Sequence, residues 1–389
     1  MPLKSHQKTT DRSEAKRIHE YKSININKRI ITASLLFIII LSPLFWSGFG
    51  GKAVAQRLPV DSLKKLPADT LTLKQKVFRK TLLIGSMSAY TAGSLTLLDL
   101  IWYRPYQSTG FHFFNDNSQW CQMDKWGHGF STYNTSRLIM GAMDWAGFET
   151  SPFKVGIGNL STGGLKWAGF SEKESIIIGQ AFGLLYLTSI EVMDGFSKQW
   201  GFSWGDEAAD VFGGFAFSMQ QYFWREQRIQ FKFSDHETGF PPYRPNLLGA
   251  NWAEQIIKDY NGQTYWVSIS PGSFLKKESK FPKWINIALG YGATNMISGK
   301  NNTTVYPDGT TAYDPVYNQT VVITKSGQEI PFYRYRKYYL SLDVDLTKIK
   351  TKSRVLKTMF SIFNCFKIPF PTLEFDKTHR GAILKPFYF

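Results

Sequence analysis

The hydrophobic periodicity of this 389-residue chain changes once, close to Arg225. Before that residue, apolar side chains recur with the helical period of about 3.6 residues, and after it they alternate with polar ones. Ile229, Phe231 and Phe233 begin this alternation. Strict alternation is typical of antiparallel strands that expose one face. The sequence therefore predicts an α+β chain, in which an apolar helical bundle is followed by an antiparallel β-sheet or a small outer-membrane-type barrel.

The chain divides into four predicted segments: a signal peptide over residues 1–55, a polar lead-in over 56–72, a helical bundle over 73–225 and a membrane-associated strand region over 226–389. The four predicted helices contain few Lys and Glu residues, so we expect each to be buried on most of its surface. The alternative is that some of them lie in a membrane, although their longest uncharged stretches are marginal for spanning one. About six strands are convincing, fewer than the eight of a minimal bacterial barrel.

The N-terminal segment has the three parts of a secretory signal peptide. Lys28 and Arg29 precede an uncharged run from Ile30 to Gly51, and the small residues Ala53 and Ala55 follow as an A-x-A site. We predict cleavage after Ala55 and a location in the periplasm or outer membrane. An uncleaved run would instead anchor the chain in the inner membrane, since it is long enough to span a bilayer.

The net charge of +16 is concentrated near the two ends of the chain. Residues 1–29 carry eight Lys and Arg against three Asp and Glu, and residues 325–389 carry thirteen against five. The first excess suits export, and the second suits anionic headgroups beside a membrane-facing strand region. The sequence thus predicts membrane lipid and envelope proteins as partners, and no nucleic acid. A mean hydropathy of -0.23 argues against a polytopic inner-membrane protein.

Polar clusters interrupt the apolar helices in three places. Each contains two ionisable residues three or four positions apart, a spacing that puts both side chains on one helix face. Burying such pairs costs several kcal/mol unless they meet partners or a cation, so we expect the three clusters to converge. The predicted polar network comprises Asp124, Lys125, His128, Glu191, Asp194, Ser203, Asp206 and Asp210.

The order of these motifs resembles that of a known family. D-K-x-x-H begins at Asp124, E-x-x-D at Glu191, and F-S-x-x-D-x-x-x-D at Phe202. This pattern is similar to the YfiM-like family of predicted periplasmic lipoproteins, a domain of unknown function, and more distantly to the VanZ-like membrane proteins. The match covers about residues 120–220, and the chain departs from it by lacking the lipoprotein Cys and adding the strand region. The resemblance implies an envelope location and a helical core, and no reaction.

The residues leave three interpretations of the network open. In the first, the protein is structural or scaffolding, with Lys125 paired to a carboxylate and His128 capping a carbonyl group. In the second, a divalent cation held by Asp124, His128, Glu191 and Asp194 activates a water that attacks a phosphoryl or acyl bond in lipid or glycan. The third is a ligand pocket. Catalytic candidates under the second interpretation are Asp124, His128, Asp206 and Asp210. The sequence establishes no cofactor and does not decide whether the protein is an enzyme; no P-loop, zincin or G-x-S-x-G signature is present.

Overall fold

The structure is a computed structural model of the chain. It describes residues 72–104, 107–147, 172–276, 278–300, 302, 334–378 and 381–388. The predicted signal peptide, its A-x-A site and nearly all of the polar lead-in lie outside the described residues.

The first half of the described chain is helical, as its periodicity predicts. Thr72 caps the first helix, because its hydroxyl accepts from the backbone N–H of Gln75 and the Gln75 side chain accepts from the Thr72 N–H. A π-helical turn, Asp99–Tyr103, prolongs this helix. The long helices are α1 Leu73–Leu98, α2 Met123–Ala146, α3 Glu172–Gly195 and α4 Trp204–Trp224.

Helices α2, α3 and α4 pack against one another, and small residues allow them to approach closely. A Cβ atom on Gly213 of α4 would lie 2.1 Å from the carbonyl oxygen of Gly129 on α2. A Cβ atom on Gly183 of α3 would lie 2.7 Å from the hydroxyl oxygen of Ser136. Both distances are far shorter than van der Waals contact, so these positions require glycine. The α2–α4 spacing is therefore set by Gly213 and Gly129.

The expectation that every helix is buried on most of its surface is wrong for α1 and α3. Only 11% of Val77–Leu98 and 28% of Lys173–Gly195 is buried. Both segments are long and apolar enough to cross a membrane, which is compatible with membrane association. A scarcity of charge indicates an apolar environment without telling protein interior from lipid, so the alternative that some helices lie in a membrane stays open for α1 and α3.

The second half forms one six-stranded antiparallel sheet, in which each strand pairs with the next along the chain. The sheet is open, since among the described residues its two edge strands do not pair with each other. Of the two predicted architectures the sheet is confirmed, and the closed barrel is wrong. The strands are β1 Ile229–Asp235, β2 Gln263–Ile269, β3 Ile285–Thr294, β4 Tyr335–Val344, β5 Phe370–Asp376 and β6 Ile383–Tyr388. Three shorter helices accompany them: α5 Pro245–Leu248, α6 Trp252–Lys258 and α7 Arg354–Phe363.

The sheet curls around a polar inner face. Tyr388 of β6 stacks on Tyr339 of β4 with ring centroids 4.6 Å apart, and its hydroxyl lies 3.1 Å from that of Thr264 on β2. Lys232 and Asp343 form a fully buried ion pair on this face, 2.7 Å apart. Side chains that alternate with these point to the opposite, outer face.

The helical bundle covers the outer face of the sheet at strands β1 and β2. Phe231 of β1 packs on Tyr133 of α2 with ring centroids 4.9 Å apart, and Tyr265 of β2 packs on Phe130 at 5.8 Å. The helices thus lie against β1 and β2. This contact brings the strand region next to the first turns of α2, where the polar motifs begin.

The α2–α4 contact yields a stability prediction. Gly213→Ala should destabilise the protein by about 1–3 kcal/mol, because the added methyl group overlaps the backbone of Gly129. Gly93→Ala in α1 is the matched control: its Cβ atom would have no neighbour within 4 Å, so it should stabilise the helix by about 1 kcal/mol. Thermal unfolding of both variants in the same detergent measures the difference. Equal unfolding temperatures would contradict this account of the helix spacing.

Candidate functional site

The three predicted motifs meet at one end of the bundle, and His128 lies at their centre. Its Nδ1 atom is 3.1 Å from Oδ2 of Asp210, which lies one turn after Asp206 on helix α4. Its Nε2 atom is 3.5 Å from Oε1 of Glu191 on α3 and 3.7 Å from Oδ1 of Asp206 on α4. The imidazole ring therefore bridges carboxylates from two other helices.

Lys125, one turn before His128, pairs with three carboxylates. Its Nζ atom lies 2.6 Å from Asp116, 2.7 Å from Asp206 and 3.3 Å from Asp124. Asp116 belongs to the segment that precedes α2, so this ammonium group joins that segment to α2 and α4. The ion pairs are largely buried, where attraction between charges is stronger than at the surface.

Ser203 fixes the start of α4 within the same cluster. Its hydroxyl accepts from the backbone N–H of Asp206 at 3.3 Å, which is the usual N-cap bond, and donates to Oδ1 of Asp116 at 2.6 Å. Its own N–H donates to Oε2 of Glu191 at 2.9 Å. Asp206 thereby stands in the first turn of α4, where the helix dipole favours negative charge.

Hydroxyl groups hold three of the remaining carboxylates. Thr132 donates to Oδ1 of Asp210 at 2.6 Å. Tyr260, from the segment between α6 and β2, donates to Oδ1 of Asp124 at 2.8 Å. Tyr103 hydrogen-bonds Asp194 at the edge of the cluster. Each of these bonds fixes the orientation of a carboxylate that would otherwise be free to rotate.

Burial and mutual repulsion set the protonation of the cluster. Burial, with the added charge of Asp124, raises the pKa of Asp206 to about 7. Burial acts in the same direction on Asp124, but the charges of His128 and Lys125 outweigh it and lower the pKa of Asp124. Burial lowers the pKa of His128, but the hydrogen bond that its ring donates to Asp210 and the charges of the nearby carboxylates outweigh burial, so the pKa of His128 is raised well above its usual value. The cluster thus favours a positive charge at its centre.

The geometry could hold a metal ion. Asp124, His128 and Asp206 each offer a ligand atom, and these atoms lie within 4.8 Å of one another. Glu191 lies outside this group of three, although its Oε1 atom is nearer to Nε2 of His128, at 3.5 Å, than Oδ1 of Asp206 is, at 3.7 Å. Asp210 binds the opposite ring nitrogen, an arrangement in which metal-ligating histidines are commonly held by a second carboxylate. Nitrogen and carboxylate donors of this kind suit Zn²⁺, Mn²⁺ and related divalent ions.

All eight residues of the predicted network lie in or at the edge of this cluster. Lys125 is paired to carboxylates as expected, whereas the His128 ring contacts carboxylates and not the carbonyl group that we had expected it to cap. The four residues predicted as metal ligands differ from the three that the structure groups: Asp206 takes the place of Glu191 and Asp194. Asp194 is held apart by its bond to Tyr103.

Sequence reasoning missed four residues that bond to the predicted network, which are Thr132, Asp116, Tyr260 and Tyr103. Thr132 could have been found, because it follows His128 by four positions and so lies on the same helix face. Asp116 and Tyr260 could not, since each reaches the cluster from a segment whose path only the tertiary structure defines.

A separate cavity of about 80 Å³ lies between α2, α4, α7 and β1. Tyr133, Arg137, Phe217 and Gln230 are among its lining residues, and no member of the cluster is. The third interpretation, a ligand pocket at the cluster itself, stays a prediction.

No protein-family model, curated protein or solved structure matches this chain. The similarity to the YfiM-like and VanZ-like families stays a prediction.

Lys125 provides a test of the electrostatics. Lys125→Met should destabilise the protein by about 3 kcal/mol, because it leaves Asp116, Asp124 and Asp206 close together without their shared cation. Lys198→Met is the control: that side chain is exposed and bonds to a neutral amide, so its loss should be nearly neutral. Chemical unfolding measured in detergent compares the two. A loss below about 1 kcal/mol at position 125, the range of surface pairs, would mean that the triple pairing contributes little.

Proposed function

We propose that the protein is exported to the bacterial cell envelope and acts there as a metal-dependent hydrolase, with the cluster around His128 as its divalent-cation site. The observation that carries the proposal is the setting of His128. Nδ1 is held by Asp210, while Nε2 faces Glu191 and Asp206 at separations too long for good hydrogen bonds. Two atoms that coordinate the same ion are separated by about this much, because the ion lies between them.

The charges of the cluster support the same proposal. Six carboxylates surround Lys125 and His128: Asp116, Asp124, Glu191, Asp194, Asp206 and Asp210. The carboxylates outnumber the two cationic side chains, and a divalent ion that replaced the proton on Nε2 of His128 would add one further positive charge. A bound divalent ion supplies hydrolytic chemistry by making its coordinated water acidic.

A second candidate function, a structural network without catalysis, is favoured by a different observation. Lys125 has three carboxylate partners, Asp210 has two partners, and the Glu191 carboxylate accepts from a backbone N–H. A polar network that is this well satisfied can orient helices by itself. In that case the protein would be a scaffold in the envelope, and the cluster would need no ion.

Metal analysis separates the two functions. The wild-type full-length chain, purified from membranes and dialysed against Zn²⁺ or Mn²⁺, should retain close to one ion per chain. His128→Ala and Asp206→Asn should each lose it, because each removes a ligand. Glu226→Gln is the control, since that carboxylate forms a surface pair with Arg228 and lies away from the cluster. No retained ion in the wild type, or full retention in His128→Ala, would exclude the metal site.

Stability and turnover give a second readout. An ion at 100 times its dissociation constant should raise the free energy of unfolding by about 2.7 kcal/mol in the wild type and the Glu226→Gln control, but not in His128→Ala. Hydrolysis of phospholipid and of envelope glycan is then measured with and without the ion. A stabilising ion with no hydrolysis of either substrate would assign the ion a structural role and contradict the hydrolase.

A further inference from the structure

The sheet buries polar side chains on its inner face and exposes apolar side chains on its outer face, the reverse of a water-soluble sheet. On the inner face, Ser341, Asp343 and Glu374 are 5%, 1% and 3% exposed. On the outer face, Leu289 and Leu340 are 49% and 39% exposed. A soluble sheet with one wet face places its polar side chains on that face. Here the polar side chains fill the interior and the apolar ones face outward.

The outer side chains of β3–β6 form rows across the strands. One row is aliphatic and joins Leu289, Leu340, Leu373 and Leu384 through the strand pairing. The next row is aromatic and joins Tyr291, Tyr338 and Phe375. A third row, on the other side of the leucines, pairs Ile287 with Leu342. None of these positions carries a charge.

Aromatic and basic residues lie at both ends of this outer face. At one end, Arg336 lies beyond the aromatic row and donates to the Tyr291 hydroxyl at 3.0 Å. At the other end, the exposed residues Lys283 and Trp284 come directly before β3. Beside the neighbouring strands, Arg228 stands over the rings of Trp224 and Phe274, at 4.9 and 5.2 Å from their centroids. An aliphatic band between aromatic borders, with cations beyond them, is the arrangement of side chains that face a lipid bilayer.

The dimensions fit the same environment. Strands β3 and β4 are each 10 residues long, within the 9–11 residues with which a tilted strand crosses the hydrocarbon core. The inner face holds buried polar pairs such as Lys232 with Asp343, as the interiors of membrane barrels do.

The apolar surface continues around the helical bundle. Helix α4 exposes Phe212, Phe215 and Phe223, and α1 and α3 expose Phe78 and Leu185. A protein partner would cover one side of the molecule, whereas lipid covers apolar surfaces on every side. The described exposed apolar surfaces lie on the sheet and on three helices, so lipid is the occupant that fits them together.

We propose that the outer face of β3–β6, defined by the rows through Leu340 and Tyr338, contacts the acyl chains of a lipid bilayer. The aromatic row lies at the level of the headgroups. This proposal does not rest on the cluster binding a metal or on hydrolysis.

Spin labels on the full-length chain test the proposal in vesicles of phosphatidylcholine and phosphatidylglycerol. Labels are placed at Leu289→Cys and Leu340→Cys on the outer face, and at Lys280→Cys in the exposed segment before β3 as the control. Wild-type protein treated with the same reagent gives the background from Cys121 and Cys365. Collision rates with lipid-soluble oxygen and with a water-soluble nickel chelate are then compared.

The outer-face labels should show an oxygen-to-nickel collision ratio several-fold higher than that of the Lys280→Cys label. Nickel access at Leu340→Cys equal to that at Lys280→Cys would mean that the face is in water. Low access to both reagents would mean that protein covers it, including a second copy of this chain. Either result overturns the proposal.

A second measurement uses the wild-type chain, so that it does not depend on the folding of the cysteine variants. Tryptophan fluorescence of the wild-type chain is recorded in vesicles whose acyl chains carry bromine near the headgroup or near the chain end. Trp204 and Trp224 stand at the two ends of α4 and Trp284 directly before β3, and all three are exposed, so bromine near the headgroup should quench more strongly than bromine near the chain end. Absence of quenching by either lipid would also overturn the proposal.

Discussion

The salt bridges and hydrogen bonds around His128 and Lys125 connect three of the four long helices with the segment that precedes α2. His128 joins α2 to α3 and α4, and Lys125 joins α2 to α4 and to the segment that carries Asp116. Tyr260 extends the network to the segment before β2. Desolvated charges are costly unless each finds a partner, so these contacts restrict how the helices can be arranged. The aromatic contacts between α2 and the first two strands then join the sheet to these helices.

The sequence predicted the elements and the convergence better than it predicted the environment. The pairs at three- and four-residue spacing placed Asp206 and Asp210 on one face of α4, and a common burial cost implied that they meet His128. Alternation located the strands, because it depends only on the period of the side chains along the backbone. Whether Leu340 or Ser341 faces the interior is a different question, since one period describes both arrangements. Asp116 and Tyr260 lay beyond local reasoning, because their positions depend on chain paths far from the motifs.

The cluster lies at the same height along the strands as the aromatic row on the outer face of the sheet. Tyr265 lies in the same strand-to-strand row as Tyr291, and its hydroxyl approaches Gly127, next to His128. With the aromatic row at headgroup depth, the cluster lies at the same depth. An ester or phosphate group of a lipid could then approach His128 by lateral movement within its leaflet. The substrate would reach the site without crossing the water phase.

Because Gly213 and Gly129 are in close contact, the spacing of α2 and α4 and the geometry of the cluster change together. Gly129 follows His128 directly, and Gly213 lies one turn after Asp210, so the distance between the two backbones also sets the distance between imidazole and carboxylate. Selection on residues with no functional group could therefore tune how tightly the cluster binds an ion. Conversely, an ion that drew these ligands together would press α2 against α4. Ion binding at the cluster would then change how the helices of the bundle pack.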